Sequence, residues 1–212
     1  MTHFVSKLSI AVLGASGGTG RRVVDTAVSR GHHVVAVMRR PPADESVPGV
    51  RHVTWTDVDN PGALVDAFRD VDVVISALGG ATAGPTTVCT DGARSTITAM
   101  ARVGVARLIV VSAYGVADTH DRSLFSRAVW ARVGDRMRDK ETMEQLISHS
   151  GSGWTIVRPP KLDDRVGTGV YRSGVELPIR LWSAIGRADL AAFLVGEAEI
   201  PTFVGAFPRI AR

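Results

Sequence analysis

Cysteine is nearly missing from this sequence: its 212 residues contain Cys89 and no second thiol. A single cysteine excludes an intrachain disulfide, so we expect a reducing, cytoplasmic setting in which Cys89 is a small packed side chain. No apolar run approaches the roughly 20 residues that a membrane helix needs. The apolar residues near the N-terminus fit a first strand better than a signal peptide, and no membrane partner is expected.

A strong excess of one charge is also missing, since 25 lysines and arginines stand against 21 acidic residues, for a formal net charge of +4. This modest excess favours anionic or phosphorylated ligands. The sequence has neither a recognition-helix motif nor a platform of aromatic and basic residues, so we expect no nucleic-acid partner. A chain of this length suits one domain, covering residues 1–212, with a substantial buried core.

Glycine, in contrast, is concentrated where an early apolar run ends. Residues 8–13 indicate a strand, residues 14–20 read Gly-Ala-Ser-Gly-Gly-Thr-Gly, and a helical pattern follows. Glycines in this setting permit a tight turn, close approach of a phosphate and close packing of helix on strand, and the helix N-terminus attracts a pyrophosphate. The alternative is an ordinary turn in a chain with 22 glycines. The candidate phosphate-binding residues are Gly14, Ser16, Gly17, Gly18, Thr19 and Gly20.

The second predicted strand ends on Arg39 and Arg40, with no acidic residue beside them. Sites that prefer NAD place a carboxylate near this position to accept from the ribose 2′-hydroxyl, whereas an arginine accommodates a 2′-phosphate. A guanidinium can bind that phosphate through two parallel hydrogen bonds. The pair therefore predicts NADP(H) as the cofactor, unless both arginines are solvated loop charges.

Strands and helices alternate along the chain, as a parallel sheet with crossover helices requires. We predict a Rossmann-like, doubly wound α/β fold: a three-layer αβα single domain with a small C-terminal extension on the substrate side. The predicted strands cover residues 8–13, 33–38, 51–55, 72–77, 107–112 and 154–158. The predicted helices cover residues 18–30, 61–68, 86–103, 135–149 and 187–198.

Ligands of such a sheet collect at the carboxyl ends of its strands, so the residues that follow each strand are candidates. Asp57 and Val58 follow the third strand and can meet an adenine ring, although Asp57 can equally cap the next turn or helix. The later strand ends contribute Ala77, Leu78, Gly79, Ser112 and Pro159 as candidates bordering the cofactor.

Together these motifs resemble atypical short-chain dehydrogenases/reductases with NmrA-like NAD(P)-binding domains. The resemblance runs over nearly the whole chain and includes residues 154–160, which read Trp-Thr-Ile-Val-Arg-Pro-Pro. Within that family, residues 84–88 and 91–94 are most similar to the biliverdin reductase B (flavin reductase) group. Enzymes of that group pass hydride from NADPH to flavins or linear tetrapyrroles.

The resemblance implies that residues 14–20 hold the pyrophosphate, that Arg39 holds the 2′-phosphate, and that Leu78 and Gly79 border the cofactor. The departures lie on the substrate side. Ala113 stands where that group carries a serine, and Lys161 stands where it carries a histidine after the double proline. These departures argue against tetrapyrrole reduction.

Lys140, Tyr114 and Ser112 are the candidate catalytic residues. The mainstream Tyr-x-x-x-Lys signature is absent, because Asp118 stands four residues after Tyr114. Lys140 can hold the nicotinamide ribose or lower the pKa of a neighbouring hydroxyl, or it can pair with Glu144 one helical turn later. Tyr114 can donate a proton, or it can be a packed aromatic residue.

The substrate side is expected mainly in residues 113–140 and 160–186. Within the first segment, residues 122–140 interleave apolar side chains with arginines. This pattern predicts either a lid, with Phe125 or Trp130 over the substrate and the arginines meeting an anionic one, or a helix packed on the domain with a solvated arginine face.

The sequence as a whole predicts an NADPH-dependent oxidoreductase that transfers hydride to a small planar acceptor such as a flavin, a quinone or a related carbonyl compound. Such transfer depends mainly on the stacking and orientation of two rings, so missing acid residues count little against it. A non-catalytic NADP(H)-binding redox sensor is the alternative, and a nucleotide-sugar epimerase is disfavoured by the missing Tyr-x-x-x-Lys. We expect no metal, and a monomer or homodimer.

Overall fold

The computed structural model describes residues 6–40, 47–80, 84–120, 124–180 and 182–212, with side chains left undescribed for 124–129 and 132. Its centre is a six-stranded parallel sheet in the order β3-β2-β1-β4-β5-β6. These strands are β1 Ser9–Leu13, β2 His33–Met38, β3 Val50–Thr54, β4 Val73–Ser76, β5 Arg107–Val111 and β6 Gly153–Val157. The order reverses after β1, as in a doubly wound fold, and the carboxyl ends of β1 and β4 meet at the reversal.

The inner strands form from continuous apolar runs because helices cover both of their faces. Ile10, at the start of β1, pairs with Val34 on one side and Val73 on the other, and all three side chains are buried. The edge strand β3 is only partly buried along its length. Burial therefore follows the position of each strand in the sheet.

Helices form the two outer layers. They are α1 Gly18–Ser29, α2 Gly62–Ala67, α3 Val88–Val103, α4 Leu124–Ser148 and α5 Arg187–Glu199. One core cluster joins α1 and α5 to one face of the sheet, and a second joins α2, α3 and α4 to the other face. The predicted three-layer αβα architecture is confirmed. None of the helices in the described part of the chain is long and apolar enough to span a membrane.

The start of α4 differs most from the prediction. A helix was expected over residues 135–149, but the observed helix already begins at Leu124. Residues 124–140 of the segment 122–140, predicted as a lid or a packed helix, therefore belong to α4, and residues 122 and 123 lie outside the described part of the chain. The alternative of a helix packed on the domain already implied helical structure before residue 135, and the earlier start of α4 agrees with that alternative.

Four short strands were not predicted. They are β7 Lys161–Asp163, β8 Arg172–Gly174, β9 Ala184–Gly186 and β10 Arg209–Ala211. β7 pairs with β9 in parallel, and β8 pairs with β10 in antiparallel orientation. Three residues are too few for a period-two pattern to show in the sequence. They build the predicted C-terminal extension, beside the carboxyl ends of the main strands.

A buried ion pair ties α5 to the opposite, amino end of the sheet. Glu197 accepts from the Arg107 guanidinium at 2.8 Å, from the Thr155 hydroxyl at 3.1 Å and from the Phe203 N–H at 2.8 Å. Burial lowers the pKa of Arg107, and the charge of Glu197 opposes that shift. The end of α5 is therefore anchored to β5 and β6 through one carboxylate.

Candidate functional site

The turn after β1 depends on two glycines. Gly14 has a φ of +73°, and a Cβ there would lie 2.9 Å from the carbonyl oxygen of Ala77 at the end of the neighbouring strand. A Cβ on Gly20 would lie 2.1 Å from the Gly14 carbonyl oxygen, which leaves no room for any side chain. The predicted reasons for these glycines, a tight turn and close packing of helix on strand, match this geometry.

The N-terminus of α1 follows this turn directly. Its cap residue, Gly17, provides no side-chain hydrogen bond, and the first helical bond runs from the Arg21 N–H to the Gly17 carbonyl at 2.9 Å. The N–H groups of Gly18, Thr19 and Gly20 precede that bond and have no helical acceptor. With the positive end of the helix dipole, they suit a phosphate group.

A cleft of about 540 Å³ opens from this helix end across the carboxyl ends of β4, β5 and β6. It brings together most of the candidates for the nicotinamide side. The predicted residues that line it are Gly17, Gly18, Thr19, Ala77, Leu78, Gly79, Ser112, Lys140 and Pro159. Its lining also contains the cations of Arg136 and Arg187 and, among the described residues, no carboxylate. The cleft therefore suits an anionic ligand.

Ser112 presents an unsatisfied polar atom in this cleft. The residue is 3% exposed, and its Oγ finds no hydrogen-bond partner among the residues described. A buried hydroxyl without a partner costs about 1–3 kcal/mol. Its backbone N–H, in contrast, donates to the Val157 carbonyl at 2.8 Å. A polar ligand in the cleft would satisfy the hydroxyl, so the residues present fit a bound nucleotide.

Lys140 projects from α4 to the end of β5, where its Nζ donates to the Val111 carbonyl at 2.9 Å. The alternative prediction, a surface pair with Glu144, is wrong. Glu144 is buried and accepts from Arg158 at 3.1 and 2.7 Å. Sequence spacing alone could not show this, because Arg158 reaches α4 from the end of β6.

Asp139, the neighbour of Lys140, fixes α4 against α3. Its carboxylate accepts from the N–H groups of Cys89 and Thr90 at 3.0 and 2.9 Å, and so caps α3 from another helix. The Thr87 side chain, at the cap position of α3, makes no such bond. Lys140 is therefore held in the cleft by the packing of two helices.

Cys89 is buried beside this cap and also lines the cleft. Burial raises the pKa of its thiol, although the nearby Lys140 charge opposes the shift. A thiol with a raised pKa is protonated at neutral pH and is a poor nucleophile. The residue has the packed position that the sequence predicted.

Tyr114 does not line the cleft. Its N–H donates to the Pro159 carbonyl at 2.8 Å, and the Arg209 guanidinium lies 5.7 Å from the centre of its ring. Trp130 likewise packs away from the cleft, stacked on His120 with a centroid distance of 4.1 Å. This contact fits the alternative of a helix packed on the domain, and the lid position of Trp130 stays a prediction. The other predicted lid residues, Arg122, Phe125, Arg127 and Arg132, lie outside the described residues or have undescribed side chains.

A second cleft of about 650 Å³ lies between α1 and the strands β2 and β3, where the sequence predicts the adenosine side of the cofactor. Ser16, Arg21 and Arg40 line it, whereas Arg39 does not. Both strand-end arginines are exposed. The structure thus places Arg40, rather than Arg39, beside the glycine turn.

Asp57 and Val58 follow β3 as predicted. The exposed Asp57 carboxylate accepts from the Asp59 N–H at 3.1 Å, which is the turn-capping alternative. The half-buried Val58 packs in the second core cluster, and its carbonyl accepts from the Ser95 hydroxyl at 2.7 Å. The cap leaves part of the Asp57 carboxylate open to a ligand, since each oxygen can accept more than one bond.

Arg187 is the main site residue that sequence reasoning missed. It is the first residue of α5, where a positive charge opposes the helix dipole. That conflict was a usable signal, because residues that break a local rule often serve a function. Asp189, two residues on, has a structural role, accepting from the N–H groups of Thr168 and Gly169, both at 2.9 Å. Among the described residues, no group of three or more potential ligands is placed to hold a metal.

Comparisons with known proteins also indicate NAD(P)H binding. Residues 14–201 match a family model described as NAD(P)H-binding. The chain is 26% identical over 199 residues to an uncharacterized sugar epimerase, YhfK, from Bacillus subtilis, with 91% of this chain and 88% of that protein covered.

Two solved structures share the fold. ChuY, described as an anaerobillin reductase from Escherichia coli O157:H7, has a TM-score of 0.79 and 26% identity, with 95% of this chain and 96% of that chain covered. A short-chain dehydrogenase/reductase from Veillonella parvula, in complex with NADP, has a TM-score of 0.80 and 18% identity, with 97% and 94% covered.

Proposed function

The chain belongs to the NAD(P)H-binding family, and from this premise we propose that it is an NADPH-dependent reductase that transfers hydride to a small planar acceptor such as a flavin or a quinone. One observation carries the proposal. The buried, unpartnered Ser112 hydroxyl and the Lys140 ammonium group share the cleft that begins at the N-terminus of α1. A dinucleotide bound across the strand ends, as in this fold generally, would pass both groups.

In this proposal each part of the chain has a separate task. The open N–H groups of α1 hold the pyrophosphate, and Arg40, with Arg21 beside it, holds the 2′-phosphate. Bound NADPH would supply the hydride. Ser112 and Lys140 orient the nicotinamide end by donating to its polar groups, with the Val111 carbonyl holding the ammonium group in place.

The acceptor side is formed by α4 and the C-terminal extension. Val133, Met137 and Leu162 give the cleft an apolar wall suited to a flat ring, and Arg136 adds a positive charge. No protein acid needs to complete the reaction, because the proton that accompanies the hydride can come from water when the acceptor is a flavin or a quinone. The position of Tyr114 outside the cleft is compatible with this chemistry.

A non-catalytic NADP(H) sensor is the second candidate, and the position of Tyr114 is the observation that favours it. An epimerase, the activity named for the Bacillus subtilis relative, fits less well, because the chain has no Tyr-x-x-x-Lys pair and Tyr114 lies away from the cleft lined by Lys140.

The test combines purified protein and NADPH with FMN, FAD, a simple quinone and biliverdin in turn, following the absorbance band of the reduced cofactor. We expect turnover with at least one planar acceptor. Tight NADPH binding without turnover of any of them would favour the sensor, and absence of NADPH binding would contradict both candidates.

Lys140→Met tests the orienting role. We expect kcat/KM for the acceptor to fall about ten- to a hundredfold, because a hydrogen bond to a charged group contributes about 1.5–3 kcal/mol. Lys7→Met is the matched control, since Lys7 is exposed and does not line the cleft. Equal activity of both variants would remove Lys140 from the mechanism.

A further inference from the structure

Arg187 crosses over the N-terminus of α1. A Cβ built on Gly18 would lie 3.1 Å from the Arg187 Nε and 3.2 Å from its Cδ, so the arginine side chain lies against the first residue of that helix. Gly18 is not required by its backbone, because its φ is not in the left-handed region. A glycine at this position instead leaves room for the Arg187 side chain.

Without a bound anion, the electrostatic energy of this contact is unfavourable. The Arg187 charge lies at the positive end of its own helix and beside the positive end of α1. Its partner is the Asp164 carboxylate at 2.9 Å, which is 74% exposed. Ion pairs with an exposed member contribute little, since solvent screens them. An anion between Arg187 and the N-terminus of α1 would reverse the balance.

We propose that Arg187 is a side-chain ligand of the cofactor pyrophosphate, binding it on the nicotinamide side. The inference rests on the proposed function, namely that this cleft holds NADP(H). The side follows from the lining residues: Arg187 lines the cleft of Ser112 and Lys140, and not the cleft of Ser16 and Arg40. The unpartnered Ser112 hydroxyl is an independent sign that a polar ligand occupies the same cleft.

This assignment gives the C-terminal extension a part in cofactor binding. Arg187 follows β9 directly, and Asp164 follows β7, the strand that pairs with it. The Asp164 carboxylate orients the guanidinium before the cofactor arrives and can keep one of its N–H groups afterwards, because guanidinium has five donors. The substrate-side extension and the pyrophosphate are thereby joined through one residue.

The experiment measures the affinity of Arg187→Gln for two ligands by calorimetry. NADPH contains the pyrophosphate, whereas adenosine 2′,5′-bisphosphate has the adenosine side but lacks the nicotinamide-side phosphate. We expect the affinity for NADPH to fall about ten- to fiftyfold, because one charge-assisted contact is lost, and the affinity for the bisphosphate to fall less than about threefold. Arg187→Lys retains a point charge and is expected to lose less than Arg187→Gln.

Arg165→Gln is the matched control. Arg165 belongs to the same extension and pairs with Asp163 at 2.7 Å, but it does not line the cofactor cleft. The affinity of the Arg165→Gln variant for both ligands should equal that of the unaltered protein. Gly18→Ala is a second variant, which keeps Arg187 but displaces its side chain by a few tenths of an ångström, and it should show a smaller selective loss of affinity for NADPH than Arg187→Gln.

Binding of NADPH by Arg187→Gln within about twofold of the unaltered protein would overturn the assignment, and so would equal losses for the two ligands. Failure of the cofactor assignment on which this inference rests looks different, because the unaltered protein would then bind neither ligand. Failure of hydride transfer alone would appear in the turnover test and would leave these affinities unchanged.

Discussion

Arg40 and Arg39 differ in what lies beside them, although they are adjacent in the sequence. Arg40 lines the adenosine-side cleft together with Ser16 and Arg21, while Arg39 lies outside its lining. The family resemblance pointed to Arg39 as the 2′-phosphate ligand. The strand ends at Met38, where it was predicted to end, so the difference lies only in which of the two following side chains lines the cleft beside α1. Successive side chains of an extended chain point to opposite sides, and the sequence does not say which side meets α1.

The consequence can be measured by reversing each charge. Arg40→Asp should weaken NADPH binding by at least about tenfold more than NADH binding, because it places a carboxylate beside the 2′-phosphate. Arg39→Asp is the matched control and should affect the two cofactors alike. Fluorescence titration of each variant with NADPH and with NADH measures the affinities that distinguish the two arginines. A selective loss in Arg39→Asp alone would return the assignment to Arg39.

Most of the candidate residues on the nicotinamide side were predictable because they follow strands. Ala77, Leu78, Ser112 and Pro159 come from β4, β5 and β6, and parallel strands bring their carboxyl ends to one edge. Arg187 was not predictable in this way. It reaches the cleft from a helix start in the C-terminal extension, so its neighbour Gly18 can be known only from the packing of α5 on α1.

Elements were predictable where their periodicity was strong. The buried apolar runs of β1 and β2 and the helix α1 appear within about two residues of their predicted bounds. The start of α3 was also predicted to within two residues, at 86 against the observed Val88, but its cap, Asp139, comes from another helix. Local sequence contains no information about a cap that arrives from another element.

The anchoring of α5 to the sheet gives a prediction at this scale. Glu197→Ala leaves the Arg107 guanidinium buried without its carboxylate, and we expect a loss of about 3–5 kcal/mol in the free energy of unfolding. The side chains of this pair are 2% and 13% exposed. Urea denaturation, monitored by circular dichroism, measures this loss of stability.

The control for that variant is an exposed ion pair. Asp66→Ala breaks the contact with Arg69, whose two side chains are 76% and 68% exposed. Such pairs contribute less than about 1 kcal/mol. A loss in Glu197→Ala no larger than that of the control would show that the buried carboxylate does not anchor α5.

At the scale of the whole molecule, we propose that residues 1–212 form a single NAD(P)-binding unit. Both core clusters share the strands of one sheet, and the C-terminal extension follows directly from β6 and α5. Unfolding should therefore be one cooperative transition. At a free NADPH concentration a hundredfold above its Kd, the stability of the folded state should rise by about 2.7 kcal/mol.

Thermal unfolding with and without NADPH checks this expectation. NADH at the same concentration is the control and should raise the midpoint less, if the 2′-phosphate contributes to binding. Two separate transitions, of which only one responds to NADPH, would show that the C-terminal extension unfolds independently of the cofactor-binding unit.

The packing of α1 on α5 also affects how the protein is made. Arg30 at the end of α1 pairs with Glu199, which is 169 residues later in the chain, and both helices contribute to one core cluster. A ribosome adds roughly 5–20 residues each second, so about ten seconds or more separate the emergence of the two helices. During that interval the part of α1 that packs on α5 has no partner and is open to chaperones, and the nascent chain can acquire a finished nucleotide pocket only near the end of translation.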